Sequence, residues 1–226
     1  MKYGTVKKGI FISRPNRFIA RVAVDGVEET VHVKNTGRCR ELLVSGAEVI
    51  LERAEVPKRK TGHDLVAVYK GERLINMDSQ APNKVFGEWA AKSGFFGNIT
   101  LLKPECTYKS SRFDYYIEAD GRRIFVEVKG VTLENDGVLM FPDAPTLRGV
   151  KHLNELMDAK QNGYLAYVFF VAQMKDCKYF TPNAETHPLF AETLKRAAES
   201  GVGVVCVSCN VTKDGLEIDG FVDVVL

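Results

Sequence analysis

What the chain lacks narrows its class first. In 226 residues no apolar run approaches a membrane span, and Met1-Lys2-Tyr3-Gly4 opens without the apolar core of a signal peptide. There is no internal repeat and no low-complexity segment. Five scattered cysteines (Cys39, Cys106, Cys177, Cys206 and Cys209) form an odd set with no disulfide framework, so a reducing, cytoplasmic setting is expected. Net charge is small as well, at +2, but unevenly spread. Residues 1–80 hold 15 Lys/Arg against 10 Asp/Glu, and the remainder hold 16 against 19. A basic module joined to a mildly acidic one suits a protein that meets a polyanion, although five charges dispersed over a surface would carry no such meaning.

What is present reads as ordinary globular chain, 45% hydrophobic and 27% charged. The first third is built of short strand patterns. Arg17–Val24 and Val27–Val33 flank Asp25-Gly26, a strong hairpin signal, and Ala47–Ala54 and Asp64–Tyr69 follow. Asn35 or Thr36 is placed to cap a helix of at most two turns reaching Leu43. Five short strands and one small helix fit a barrel such as an OB-fold, with a generic β-sandwich as the alternative. From Ala81 the texture changes to a helix over Pro82–Ser93, then strands over Ile99–Cys106, Phe113–Glu118 and Arg122–Lys129. A helix capped by Thr146 runs to Asn162, Tyr164–Ala172 reads as a buried central strand, and helix Pro188–Ser200 precedes strand Val202–Cys209.

The chemistry concentrates in Ser111-Arg112-Phe113-Asp114 and Glu127-Val128-Lys129. Residues two apart on a strand share a face, so Glu127 and Lys129 point together and Val126 and Val128 point away. A carboxylate and an ammonium at the end of the apolar run Ile124-Phe125-Val126 are costly to bury without partners. With Asp114 on the adjacent strand, two hard oxygen ligands converge on one point, a pattern that suits Mg²⁺ or Mn²⁺ completed by water and phosphate. Lys129 beside them would orient an attacking water and steady charge on the phosphoryl oxygens. On a helix–three-strand–helix–strand background this spacing resembles the PD-(D/E)xK nuclease core, with Phe113 where the superfamily name has proline.

Longer strings carry a more specific resemblance. Arg14-Pro15-Asn16-Arg17-Phe18, Asn35-Thr36-Gly37-Arg38, Asn76-Met77-Asp78-Ser79-Gln80-Ala81-Pro82-Asn83, Glu127-Val128-Lys129-Gly130-Val131-Thr132-Leu133 and Phe141-Pro142-Asp143-Ala144-Pro145-Thr146-Leu147-Arg148 are similar to the sugar fermentation stimulation protein A family along nearly the whole chain. The resemblance implies an OB-like nucleic-acid-binding domain over residues 1–80 and a PD-(D/E)xK nuclease-like mixed sheet flanked by helices over 81–226, α/β (α+β) in class. It implies DNA binding and a role in regulating sugar (maltose) metabolism genes. It carries Asp114, Glu127 and Lys129 onto the catalytic positions and Asp114 and Glu127 onto a Mg²⁺ (or Mn²⁺) site. Glu88, on the first helix, is where many such nucleases place a further metal carboxylate, though a solvated helix glutamate reads equally well. Thr146, Arg148 and Lys151, with His152 beside them, would support the site from the next helix.

For the barrel, Arg14, Arg17, Arg38, Arg40, Lys58, Arg59 and Lys60 would form one phosphate-tracking surface, sequence-non-specific in character. RNA remains open as a ligand beside DNA, because OB-like barrels accept either. No membrane partner is expected. His63 has an exposed loop position as its ordinary reading. Cys206-Val207-Ser208-Cys209 has the spacing of a metal pair but lies in an apolar strand without a second pair, which argues against zinc. Asp143 sits in a Pro-rich turn that turn chemistry alone explains. Enzyme and non-catalytic DNA-binding regulator both remain open at this point.

Overall fold

The alternation on either side of Asp25-Gly26 folds as a hairpin, with both turn residues at positive φ (50° and 82°). The computed structural model describes residues 1–35, 37–54 and 59–226. Strand β1 (Val6–Asn16) pairs with β2 (Ile19–Val24), and β2 with β3 (Val27–Val33). β1 also pairs with β4 (Glu48–Arg53), and β4 with β5 (His63–Lys70). The sheet closes because β3 returns to β5 in parallel, His32 opposite Asp64 and Val33 opposite Leu65. Closure makes a five-stranded barrel and removes the β-sandwich alternative. β6 (Arg73–Asn76) extends β5 as a hairpin. Ala20, Val22, Val24, Val31 and Val33 alternate inward to fill it.

One expectation needs correction here, and one strand went unread. The segment Asn35–Leu43 forms no helix among its described residues: residues 40–42 make a turn, and Cys39 lies at φ 44°. Thr36 lies outside the described residues. β1 went unread because Phe11 is its only deeply buried large side chain, so no apolar alternation marks it.

The second sheet has nine strands in the order β10-β11-β13-β15-β14-β12-β9-β8-β7. Its centre is β12 (Leu165–Ala172), parallel both to β9 (Arg122–Val131) and to β14 (Gly203–Thr212). β8 (Ser111–Ala119) and β7 (Ile99–Tyr108) continue antiparallel beyond β9 to one edge. Beyond β14 lie β15 (Gly215–Val224), β13 (Tyr179–Pro182), β11 (Val138–Phe141) and β10 (Leu133–Asn135), four strands that the pattern reading did not isolate. Helix α1 (Ala81–Ser93) packs Val85 and Phe86 on one face of the sheet against Val126 and Phe169. Helices α2 (Leu147–Gln161) and α3 (Pro188–Glu199) cover the other with Leu153, Leu156 and Leu194 against Phe125 and Phe170. Thr146 caps α2 as expected, its Oγ1 accepting from Gly149 N at 3.0 Å. No helix among the described residues is long and apolar enough to cross a membrane.

The two sheets share their cores. Ile50, Val66 and Ala67 of the barrel belong to the same buried cluster as Val85 and Phe86. Polar joints fix the contact: Asn76 N donates to Gln173 O at 2.9 Å, and Gln173 Nε2 donates back to Asn76 Oδ1 at 2.8 Å. Farther out, Glu134 accepts from Lys70 Nζ at 2.9 Å and pairs with Arg73 Nη1 at 2.7 Å. Burial alone would raise the Glu134 carboxyl, but hydrogen bonds from Lys70, Gly137 and Arg73 outweigh it and bring the group to about 2.

This joint makes a pH-dependent contribution of known sign. A carboxyl depressed from 4.5 to about 2 contributes stability that is complete above the ordinary value and lost as pH falls through the folded one. Glu134→Gln is expected to lower the urea midpoint at neutral pH, and the gap from the native protein should narrow clearly as pH is lowered from 4.5 toward 2. A gap of constant size across that window would show that the ion pairs do not join the two sheets.

Candidate functional site

The informative strands part company at Asp114. β8 and β9 pair as far as Tyr115 opposite Val126, a register that brings Asp114 beside Glu127 at the next step. Phe113 and Tyr115 are two apart, yet Phe113 packs with Phe125 under α2 while Tyr115 packs against Phe86 of α1. The strand therefore rotates at Asp114. Opposite it on β7, Glu105 takes a left-handed φ of 54°, a conformation a non-glycine residue holds at a cost of order 1 kcal/mol. In the gap so opened, Asp114 Oδ2 accepts from Val128 N at 2.7 Å, substituting for the missing strand partner. Its Oδ1 accepts from Asn83 Nδ2 of α1 at 2.7 Å.

Glu127 is 3% exposed, and its Oε1 is shared by Lys129 Nζ and His152 Nδ1. His152 Nε2 accepts from Arg148 Nε at 3.3 Å, so the imidazole proton is assigned to Nδ1, facing Glu127. Glu127 Oε2 is buried and has no hydrogen-bond partner among the described residues. Burial would raise the Glu127 carboxyl, but the His152 hydrogen bond and the Lys129 charge outweigh it and hold it below the ordinary range. Asp114 moves the other way, raised by burial and then by the charge of Glu127, against smaller opposing effects from Val128 N, Lys129 and Asn83. Burial and the neighbouring Glu127 charge make an ionised Asp114 costly in this gap, while Glu127 keeps its charge through His152 and Lys129. Among the described residues no group of three or more His, Cys, Asp or Glu is arranged to hold a metal ion.

The other expected site residues divide. Arg148 reaches the cluster through His152. Thr146 is a helix cap, and Lys151 Nζ donates to Ser110 O at 2.7 Å, away from the acids. Glu88 is not brought to the pair: it binds the N-terminal ammonium at 2.8 Å and is more than half exposed. It lies five residues beyond Asn83, about 140° further round α1, and so faces elsewhere. His152, expected beside Arg148 and Lys151, is the helix residue that reaches Glu127, and Asn83 is the one whose part the pattern did not assign. His63 sits in β5, not a loop, with Nδ1 2.9 Å from Glu29. Cys206 and Cys209 pack in different clusters, so they do not converge.

On the barrel, Arg17, Arg38 and Arg40 are exposed and line one cavity of about 500 Å³ with Arg14 and Leu43. Arg14 itself is a pin. Its guanidinium donates to the carbonyls of Gly37, Arg38, Arg17 and Asn35 at 2.6–2.9 Å, closing the loop after β3. Arg59 forks onto the buried carboxylate of Asp64, which neutralises it. Lys60 is exposed, and Lys58 lies outside the described residues. The pinned loop leans on the second sheet, where a Cβ at Gly37 would meet Asp143 Oδ2 at 2.8 Å.

Comparison with known proteins matches both halves. A family profile described as the SfsA N-terminal OB domain covers residues 12–77, and one described as the sugar fermentation stimulation protein RE domain covers residues 80–215. Sugar fermentation stimulation protein homologs of Clostridium beijerinckii and Desulfitobacterium hafniense (strain DSM 10664 / DCB-2) are 57% and 58% identical over 226 residues. The alignments span the whole of this chain and 100% and 99% of those proteins. Pyrococcus furiosus SfsA, solved in complex with Ca²⁺, superposes with a TM-score of 0.91 at 26% identity over 100% of this chain and 98% of that one.

The contrast between Arg14 and its neighbours can be measured. Arg14→Ala would strand several carbonyls and is expected to cost about 2–4 kcal/mol in urea unfolding, whereas Arg38→Ala should stay within about 0.5 kcal/mol. Equal effects would mean that the four carbonyl contacts do not hold the loop.

Proposed function

The chain belongs to the sugar fermentation stimulation protein family, and on that footing we propose a cytoplasmic DNA-binding protein with a nuclease-type metal centre. Residues 1–80 supply affinity for the DNA backbone without sequence preference. Residues 81–226 carry a Mg²⁺ (or Mn²⁺) site at Asp114 and Glu127, competent to hydrolyse phosphodiesters. The observation that carries this reading is the buried Glu127 Oε2, without a donor among the described residues, beside a second carboxylate. Left bare, such an oxygen costs about 1–3 kcal/mol or more. A hard divalent cation fits there, because oxygen-only, two-carboxylate sets that leave room for water and phosphate are what such cations take. The Ca²⁺ complex of the Pyrococcus relative supports a hard cation on this fold.

Once bound, the ion would polarise a phosphoryl oxygen and lower the pKa of a coordinated water. The chain's own residues do the rest. His152, its Nδ1–H aimed at Glu127, keeps that carboxylate ionised and oriented, and Arg148 fixes the imidazole tautomer in turn. Asn83 and Val128 N hold Asp114 in place. Lys129, partly accessible beside Glu127, is placed to steady negative charge on a phosphate.

One feature favours a second reading, a non-catalytic DNA-binding regulator of sugar (maltose) metabolism genes. The Lys129 amine donates to Glu127, an engagement expected of a site that holds its cation for structure.

Titrating Mn²⁺ by calorimetry and following labelled duplex, single-stranded and branched DNA separates the two. Native protein is expected to bind Mn²⁺, Glu127→Ala to lose it, and His152→Ala to bind roughly 10- to 100-fold more weakly. Lys129→Ala should keep Mn²⁺ and stop cleavage. Uptake of Mn²⁺ by Glu127→Ala equal to native overturns the metal site. Native protein that binds Mn²⁺ and DNA but leaves every substrate intact is the regulator.

A further inference from the structure

Three cavities meet at the loop that Arg14 pins. The first, about 500 Å³, is lined by Arg17, Arg38, Arg40 and Gly37. The second, about 640 Å³, is lined by Phe18, Lys60, Asn35 and Ser79. The third, about 270 Å³, shares Gly37 with the first and Asn35 and Ser79 with the second, and ends at Gly130–Leu133. Gly130 is the residue after Lys129. The three therefore adjoin one another between the barrel and the end of the strand that carries Glu127 and Lys129.

We propose that this run is the path of a single strand of DNA, so that the protein takes single-stranded DNA or a single-stranded tail in preference to continuous duplex. The destination of the path rests on the metal-centre reading above. Charge is the first reason: Arg17, Arg38 and Arg40 are exposed without a carboxylate partner among the described residues. Stacking is the second. Phe18 is 51% exposed, with the Arg17 guanidinium 5.8 Å from its ring centre, the pairing of an aromatic platform and a cation on which unpaired bases stack. The path is preformed, because Arg14 fixes the loop through the carbonyls of Gly37, Arg38, Arg17 and Asn35.

Fluorescence anisotropy in EDTA, at one fixed salt concentration, tests this without cleavage. The probes are labelled dT oligomers of about 6 and about 16 nucleotides, which bracket the site sizes of OB-folds, and a duplex of the longer length. The longer single strand is expected to bind at least about tenfold more tightly than the duplex. Phe18→Ala should weaken it roughly 5- to 100-fold. Phe221→Ala, on an exposed aromatic of β15 outside the path, should change nothing. Ser79→Trp, at a position shared by two of the cavities, should keep the affinity for the short oligomer and abolish the gain with length. Duplex bound as tightly as the single strand, an unaffected Phe18→Ala, or preference for the matching single-stranded RNA would each overturn the proposal. The two readings fail separately. Loss of strand preference with Glu127-dependent Mn²⁺ uptake intact removes only the path. Strand preference with Mn²⁺ uptake indifferent to Glu127 removes only the metal centre.

Discussion

The buried carboxylate of Glu127 is the constraint that orders its surroundings. An ionised group at the end of an apolar central strand is tolerated only when its oxygens are answered, and one of them is answered twice, by Lys129 and by His152. Those two contacts fix features on either side. α2 must present His152 four residues after Arg148, so that the imidazole is oriented from behind. β8 must rotate at Asp114 for a second carboxylate to reach the same gap, and Glu105 takes up a left-handed conformation opposite it. The remaining oxygen of Glu127 faces neither. An unanswered buried oxygen beside a second carboxyl is the cost that the proposed cation would offset, the pattern of strain and burial that marks a site and not the fold.

The barrel's contribution to that site is positional. Its core is continuous with the cluster under α1, and its joints to the second sheet are polar and buried, through Asn76, Gln173 and Glu134. Such joints give little net stability compared with apolar packing but fix geometry, because each buried polar group has one arrangement that satisfies it. Fixed geometry brings the loop Arg14 closes against the segment around Asp143, next to the end of β9. The arginines exposed on that loop line a cavity that shares Gly37 with the one ending at Gly130–Leu133, just beyond the strand residues that carry the pair.

How much of this was legible depended on the range of each interaction. Strand periodicity placed Glu127 and Lys129 together, and the register of β8 and β9 places Asp114 with them. Caps and turns were equally local: Asp25-Gly26 and Thr146 act as their sequence suggests. The same periodicity does not hold at Phe113 and Tyr115, two residues apart on a strand that rotates between them and packs them on different faces. Arg14 looked like any surface arginine because its four acceptors come from two separate segments that only the closed barrel assembles. Glu88 matched a superfamily position by its helix, yet its turn of α1 faces the chain's N-terminus. Strand β1 was invisible because its side chains are mostly exposed, and hydrophobic alternation is the main mark a strand leaves in a sequence.

The central claim is that Asp114 and Glu127 together hold one hard cation in the gap between β8 and β9. Anomalous diffraction from crystals soaked in Mn²⁺ tests it most directly. A single anomalous peak bridging the Asp114 carboxylate and Glu127 Oε2 is the predicted result. A peak at Glu88 or elsewhere on the surface, with that gap filled only by water, would contradict it.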